Sequence, residues 1–337
     1  MNRIRIRRLT PEDLEFAGRL RAIAGWNQTD ADWRRLMALR PDGCFLLESD
    51  GRPAGTATTT GYGPDLAWIG MVLVHPDFRR RGLATALIRH GLRCLFDTGV
   101  RRVTLDATPA GEAVYGRMGF RSQWRLRRWY RDSPVDLPVP TDGRATPGIE
   151  AAPPTDAAPR AEPLPTNREV SRSHARSTAF FSPAMLRWDR RVFGADRAAL
   201  LHALAAGARA VAIEDDFGMT PEPSPTGARM GPPPRGGYAM LRDGAVASYL
   251  GPVIAGDEPT GRRLIRRVLH DSPPPDGLIW DIPEGHRSAE RLAEELGLRP
   301  QRPLVRMSIT ATSDPDGSPS TPGPTPEQWA IGGPETG

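Results

Sequence analysis

The stretch from residue 68 to residue 88 constrains the fold of this chain more than any other. It begins with an unbroken apolar run, Ile69 to Val74, whose Val, Ile and Leu side chains suit a covered strand. His75-Pro76-Asp77 ends the run, because proline has no amide hydrogen for the next ladder bond. Three arginines and Gly82 follow, and apolar side chains then recur at helical spacing as far as Leu95. The sequence therefore predicts a strand, a basic glycine turn and a helix.

A turn of this kind at the start of a helix can bind phosphate. The first amides of a helix have no partner within it and lie at the positive end of the helix dipole. Gly82 and the small Ala84 let a pyrophosphate approach the backbone, and Arg79, Arg80 and Arg81 add positive charge. By itself the turn leaves a second interpretation open, in which the arginines are only a solvated run of charge at a helix start.

The turn resembles the acetyl-CoA signature of the GNAT N-acetyltransferases, Arg/Gln-x-x-Gly-x-Gly/Ala, which reads here as Arg79-x-x-Gly82-x-Ala84. A second segment typical of that family runs from Leu105 to Phe120 and contains Tyr115 and Gly119. The resemblance implies an α/β (α+β) fold with two acyl-CoA N-acyltransferase domains, each a twisted mixed sheet flanked by helices. It also implies acetyl-CoA as the co-substrate, and no metal is expected.

Within this resemblance, the cofactor-binding residues come from the strand, the turn and the start of the helix. The strand backbone from residue 71 to 74 is expected to diverge from its neighbour, pair with the pantetheine arm and face the thioester. Thr108 stands where the family usually has Asn, and its hydroxyl is expected to form a hydrogen bond with the cofactor. The complete set is Met71, Val72, Leu73, Val74, Arg79, Arg80, Arg81, Gly82, Leu83, Ala84, Thr85 and Thr108.

Two residues are candidates for catalysis. Tyr115 occupies the position of the family's general acid, and a phenol stays protonated at neutral pH, so it can donate to a departing thiolate. Asp106 lies at the carboxyl end of a predicted parallel strand, where ligands gather, and is the candidate base. A core tyrosine and a helix-capping aspartate are the alternative roles. A water chain, or an amine that arrives neutral, could replace the base.

The acceptor pocket is expected near the first two helices. Trp26, Asn27 and Trp33 are the candidate substrate-binding residues, because the segment that contains them is typical of the tandem bacterial members of the family. Aromatic packing between the two helices is the alternative interpretation of these residues.

Composition and resemblance together divide the chain. Residues 1–131 have the element order of a complete catalytic GNAT domain, and the Pro- and Ala-rich residues 132–178 are predicted to be a disordered linker. Residues 179–310 resemble the C-terminal domain of tandem bacterial acetyltransferases, with a disordered insertion predicted at 218–236. Residues 311–337 are predicted to be a disordered tail. The second domain lacks the Arg-x-x-Gly turn and has Asp257 and Glu258 in its place, so one working cofactor site is expected.

The resemblance implies an N-acyltransferase that moves an acetyl group from acetyl-CoA to a primary amine by direct attack in a ternary complex. A cytoplasmic location is expected, because the first residues alternate like a strand and have no signal-peptide core. The acceptor is expected to be a small-molecule or peptide amine, and a homodimer is left open. A CoA-binding sensor or interaction module without catalysis is the alternative. Nucleic acid is not expected as a partner, because the net charge of +5 is spread along the chain. No apolar run approaches the length of a bilayer span, so no membrane partner is expected.

Overall fold

The structure, a computed structural model, describes residues 3–134, 181–214, 236–311 and 323–337. Apart from their outermost residues, the linker predicted at 132–178 and the insertion predicted at 218–236 lie outside these ranges. Within the described ranges, none of the helices combines the length and the apolar character that crossing a bilayer requires.

The first half of the chain forms the elements that local sequence signals predict. Thr29 and Asp32 bond to each other's backbone amides and so define the start of the second helix, and Gly25 ends the first helix with a φ of 63°. The elements are β1 (Ile4–Arg8), α1 (Leu14–Ala24), α2 (Asp30–Leu39), β2 (Cys44–Ser49), β3 (Arg52–Gly61), β4 (Ala67–Val74), α3 (Leu83–Phe96), β5 (Arg102–Ala107), α4 (Pro109–Gly116) and β6 (Arg121–Arg131).

The second half repeats this alternation of helices and strands, which confirms the predicted α/β class. Its elements are α5 (Pro183–Phe193), α6 (Ala198–Ala206), β7 (Ala210–Glu214), β8 (Gly237–Arg242), β9 (Ser248–Ala255), α7 (Glu258–Asp271), β10 (Leu278–Pro283), α8 (Arg287–Glu295), β11 (Arg299–Thr310) and β12 (Gln328–Ala330).

The two halves share one mixed sheet and exchange strands at its centre. The strand order is β1-β2-β3-β4-β5-β11-β6-β10-β9-β8-β7, with β12 paired to β9. β11 of the second half lies between β5 and β6 of the first, and β6 pairs in turn with β10. The predicted domain boundaries therefore stay a prediction, since each half contributes a strand that pairs within the other half.

A buried ion pair lies at the joint between the halves. Arg128 on β6 donates to both carboxylate oxygens of Asp281 on β10, at 2.8 and 2.7 Å, and Tyr249 on β9 donates to the same carboxylate. Such a pair is costly to bury but fixes the register of the strands that carry it when every polar atom has a partner. The joint thus holds β6 against the second half of the chain.

Each half has a place where two parallel strands separate. β4 and β5 pair only at their first residues, Ala67 with Val103 and Trp68 with Thr104, and diverge beyond them. β9 and β10 pair from Ser248–Leu278 to Leu250–Trp280 and then diverge in the same way. The second opening is occupied by β12, whose Trp329 carbonyl accepts a bond of 3.0 Å from the indole of Trp280.

The prediction of a disordered tail is wrong for residues 323–337. Trp329 is 1% exposed, and both Ile331 and Glu335 are buried. These few side chains are enough to order the segment because the sheet openings offer it backbone partners as well as apolar contacts. Residues 312–322 of the predicted tail lie outside the described residues.

Candidate active site at the first strand opening

The predicted phosphate-binding turn lies at the exposed start of α3. Gly82 precedes the helix with a φ of 74°, and Arg80 also has a positive φ of 62°. The first bond within the helix runs from the Ala86 amide to the Gly82 carbonyl, at 3.0 Å, so the preceding amides have no partner in the helix. A Cβ on Gly82 would meet no atom within 4 Å, which shows that the space beside it is open. The turn can therefore receive an anion.

The side chains around this turn hold it in shape. Arg79 donates to the Val74 carbonyl at 3.2 Å, and Arg81 donates to the Asp77 carbonyl at 2.9 Å. Leu83 is buried and fixes the first turn of α3 to the core, whereas Ala84 and Thr85 are only partly covered. The three arginines and Gly82 are exposed, so the turn presents an arginine-rich surface to solvent.

A backbone irregularity in β4 marks the place where the strands diverge. Met71 has a φ of 52°, and the register of β3 against β4 shifts between Thr56 and Thr58. Thr56 donates its hydroxyl to the Met71 carbonyl at 3.0 Å, which stabilises this strained residue. Of the other predicted strand residues, Leu73 and Val74 stay paired with β3, whereas Val72 lies within the register shift. The bulge thus lies in the part of β4 beyond its last pairing with β5, which is at Trp68.

A cavity of about 40 Å³ lies at the end of this opening. Six of the predicted site residues line it: Trp26, Met71, Val72, Asp106, Thr108 and Tyr115. It also contains polar residues that sequence analysis did not select: Gln28, Arg128, Arg302 and Glu335. The cavity therefore joins the strand, the candidate acid and the candidate base with side chains from both halves of the chain.

Tyr115 is held against the backbone of its own helix. A Cβ on Gly111 would lie 2.9 Å from a ring carbon of Tyr115, so only glycine leaves room for the phenol there. The ring of Phe120 meets Tyr115 edge to face at 5.8 Å, and Thr108 caps the helix by accepting from the Gly111 amide at 3.3 Å. Burial raises the pKa of Tyr115 to about 12, so the phenol keeps its proton at neutral pH.

Asp106 lines the cavity, but both of its oxygens are engaged. Arg306 on β11 donates to them through Nε and Nη2, each at 2.9 Å. The same guanidinium stacks between the rings of Trp68 and Trp124, at 4.6 and 4.3 Å from their centroids. Burial raises the pKa of Asp106, and the charge of Arg306 opposes that shift. Its role as the base stays a prediction, since a bidentate partner occupies the carboxylate.

The structure places the other two predicted acceptor residues outside the cavity. Trp33 is completely buried and packs in the core beneath α1 and α2. Asn27 accepts from the amides of Val246 and Ala247, at 2.9 and 3.0 Å, and donates to the Ala247 carbonyl at 2.9 Å. Asn27 thus connects the first two helices to the hairpin between β8 and β9, and its neighbours Trp26 and Gln28 face the cavity instead.

The missed cavity residues had little signal in the sequence. Arg128 and Arg302 belong to strands with many arginines, and only the exchange of β6 and β11 brings these two to the site. Glu335 lies in a polar, glycine- and proline-rich segment that composition alone assigns to disorder. The apolar pair Trp329 and Ile331 just before it was the one signal that the segment could be anchored.

Comparison with known proteins agrees with this geometry. Residues 11–120 match the model of the acetyltransferase (GNAT) family, and residues 234–318 match that of a second acetyltransferase (GNAT) domain. The described structure is similar to a candidate acetyltransferase of Pyrococcus horikoshii, with a TM-score of 0.68, 17% identity, and coverage of 99% of this chain and 96% of that one. At this identity, the similarity shows a common fold.

Two curated relatives are N-acetyltransferases by name. The chain is 31% identical over 110 residues to N-alpha-acetyltransferase MAK3 of Arabidopsis thaliana, which covers 29% of this chain and 55% of the relative. It is 29% identical over 145 residues to the uncharacterized N-acetyltransferase MJ1207 of Methanocaldococcus jannaschii, covering 37% of this chain and 64% of the relative. The chain thus spans between about half and two thirds of the length of these relatives. The two matched family models together cover more than half of the sequence, and the chain belongs to the GNAT acetyltransferase family, with two GNAT domains in tandem.

Proposed function

We propose that the protein is an acetyl-CoA-dependent N-acetyltransferase that acts on a primary amine by direct attack in a ternary complex. The observation that carries this proposal is the cavity at the end of the β4–β5 opening. The bulged strand at Met71 and the side chain of Tyr115 both line it, and β4 leads through the short turn at Pro76–Phe78 to Gly82. A pantetheine arm that followed β4 from that turn would bring its thioester to this cavity.

Each part of the site would then have one task. The amides around Gly82 receive the pyrophosphate of acetyl-CoA, with charge supplied by the three arginines. The edge of β4 that does not pair with β5 aligns the arm, which holds the thioester near the acceptor and lowers the entropic part of the barrier. Tyr115 donates its proton to the sulfur as the carbon–sulfur bond breaks.

The second half of the chain supports a single cofactor site. β12 fills the β9–β10 opening, which corresponds in this half to the place of the pantetheine arm. The start of α7 is capped by Asp257, whose carboxylate accepts from the Thr260 amide at 2.8 Å, and Glu258 follows it. Two acids at this helix start would repel a pyrophosphate. One molecule of acetyl-CoA per chain is therefore the stoichiometry that we propose.

The acceptor is a primary amine, carried by a small molecule or by a peptide. The name of the Arabidopsis relative, an N-alpha-acetyltransferase, favours including peptide amino termini among the acceptors to be tested. The direct test is transfer of radiolabelled acetyl groups from acetyl-CoA to a panel of spermidine, lysine amide and tripeptides with free amino termini. Binding of acetyl-CoA without transfer to any member would support a non-catalytic sensor instead.

Replacing Tyr115 by Phe should reduce turnover without affecting cofactor binding. The ring and its contacts with Gly111 and Phe120 remain, but the proton donor to the thiolate is removed, and a general acid contributes roughly 10²-fold or more to the rate. We expect kcat to fall by about that factor while calorimetry gives an unchanged dissociation constant for acetyl-CoA. Because the pKa of Tyr115 is raised, its deprotonation should not limit wild-type activity below about pH 10.

The matched control is Phe120→Leu, which disturbs the same aromatic contact but leaves the phenol in place. A kcat that falls equally in both variants would show that packing, rather than proton donation, explains the effect of Tyr115→Phe.

A further inference from the structure

Residues 334–337 extend from the second half of the chain to the first and are hydrogen-bonded to both halves. The carbonyl of Pro334 accepts from the indole of Trp68 at 3.1 Å, and that of Thr336 accepts from the hydroxyl of Tyr62 at 2.7 Å. Arg197 on the second half donates to Gly337 at 3.1 Å. With these bonds, residues 334–337 are a fixed wall of the first opening rather than a loose extension.

Pro334 and Glu335 are the residues of this segment that line the cavity, and Glu335 is the one with a titratable side chain. It lies so close to β4 that a Cβ on Gly70 would be 2.6 Å from the Glu335 carbonyl oxygen. Gln28, another cavity residue, donates to the Glu335 carboxylate at 2.8 Å, and Glu335 is 5% exposed. The backbone of Glu335 therefore packs on β4, its carboxylate is held by Gln28, and both residues line the same cavity as Met71 and Tyr115.

The carboxylate of Glu335 has a more distant cationic partner than the carboxylate of Asp106, the other acid that lines the cavity. The nearest cation, Arg242, has its Nη1 3.9 Å from Glu335 and 3.4 Å from Asp32, and donates its other hydrogens to the carbonyls of Gly251 and Gly332. Asp106, in contrast, receives two bonds of 2.9 Å from Arg306. No residue of β4 is acidic, so the strand itself offers no base.

We propose that Glu335, supplied by the C-terminal segment, is the general base that deprotonates the acceptor amine; this assignment rests on the proposed function. Its carboxylate takes one proton from the ammonium group, which frees the nitrogen lone pair to form the bond to the acetyl carbon. The electron pair of the carbon–sulfur bond leaves with sulfur, and Tyr115 protonates the thiolate. The second proton lost by the nitrogen restores the phenol, and Glu335 releases its proton to solvent.

The electrostatic surroundings suit this role. Burial raises the pKa of Glu335, and so does the charge of Asp32, whereas Arg242 and the bond from Gln28 lower it. Arg128, Tyr62 and Tyr249 also interact electrostatically with this carboxylate. A general base works best with a pKa near the operating pH, so a shift upward from the ordinary range of Glu favours catalysis. Activity must be lost as pH falls through the raised pKa, because only the ionised carboxylate accepts a proton.

The test is Glu335→Gln, which keeps the size of the side chain and an oxygen that can accept from Gln28. With the best acceptor of the amine panel, we expect kcat/KM at pH 7 to fall by about 10²-fold or more. The ratio of wild-type to variant kcat/KM should decrease as pH rises, because hydroxide and the growing fraction of free amine replace the base. Glu335→Asp should recover part of the activity. Acetyl-CoA binding, measured by calorimetry, should be unchanged in both variants.

Comparison with Asp106→Asn decides between the two carboxylates. If Glu335→Gln lowered kcat/KM by the same factor at every pH, the assignment would be wrong. It would also be wrong if the fall of kcat/KM at low pH disappeared in Asp106→Asn and persisted in Glu335→Gln. Titration of the Glu335 carboxyl carbon by NMR, identified by its absence in Glu335→Gln, gives a readout without an acceptor. A midpoint at or below the ordinary value for Glu would also overturn it. If the wild-type protein bound no acetyl-CoA, the proposed function would be wrong. If Glu335→Gln left acetyl transfer unaffected, only the assignment of Glu335 as the base would be wrong.

Discussion

A Gly82→Glu variant is expected to lose acetyl-CoA binding, with a dissociation constant at least about 100-fold higher than that of the wild type, or about 2.7 kcal/mol. The new carboxylate would stand at the helix start where the pyrophosphate must approach, and would repel it through a site that is otherwise basic. Calorimetric titration of acetyl-CoA into both proteins gives the affinity and the stoichiometry. The wild type should bind one molecule per chain.

Gly99→Glu is the matched control, because Gly99 follows the other end of the same helix. It also has a positive φ, 81° against 74° for Gly82, and a Cβ there would likewise meet no atom within 4 Å. Both variants therefore carry the same added charge and a similar backbone strain of about 1 kcal/mol. We expect Gly99→Glu to bind acetyl-CoA like the wild type. An equal loss of acetyl-CoA affinity in the two variants would indicate general destabilisation. Two binding sites per wild-type chain would show that the second opening also binds the cofactor.

The sequence was sufficient for the elements whose signals are local. The strand, basic turn and helix around Gly82 follow from periodicity and from helix-capping chemistry, which act over a few residues. For the same reason Tyr115 and Thr108 could be placed on the helix that brings them to the cavity. The resemblance to the family then related these elements to one another in the order that the structure has.

The central strand exchange could not be read from the sequence. β6 and β11 are both long and rich in arginine, and either would satisfy the free edge of β5. The choice between them depends on pairing across about 200 residues of sequence, as in the contact of Asp106 with Arg306. Arg128 and Arg302 reach the cavity as a result of that choice, which explains why local reasoning did not select them.

The C-terminal segment was missed for a different reason. Its composition predicts disorder because few of its side chains can offset the entropy of ordering the chain. The order comes instead from two gaps in the sheet that supply backbone partners, and both gaps are built by strands far away in the sequence, β4 and β9. The sequence predicts Asn27 in the pocket because its segment is typical of the tandem members of the family, whereas its side-chain amide bonds to the hairpin backbone at Val246 and Ala247.

Trp329→Ala should destabilise the whole fold by about 3–5 kcal/mol, the usual cost of truncating a buried tryptophan. Trp329 is 1% exposed, and a Cβ on Gly261 of α7 would lie 2.6 Å from the indole, so the ring fills the space between that helix and β9. Its loss would leave a cavity and loosen β12, and with it the segment that carries Glu335. Urea unfolding followed by fluorescence and circular dichroism measures the change. Ile23→Ala, at a side chain that is 51% exposed, should cost less than about 0.5 kcal/mol. If the C-terminal segment contributed nothing to the fold, Trp329→Ala would unfold at the same urea concentration as this surface control.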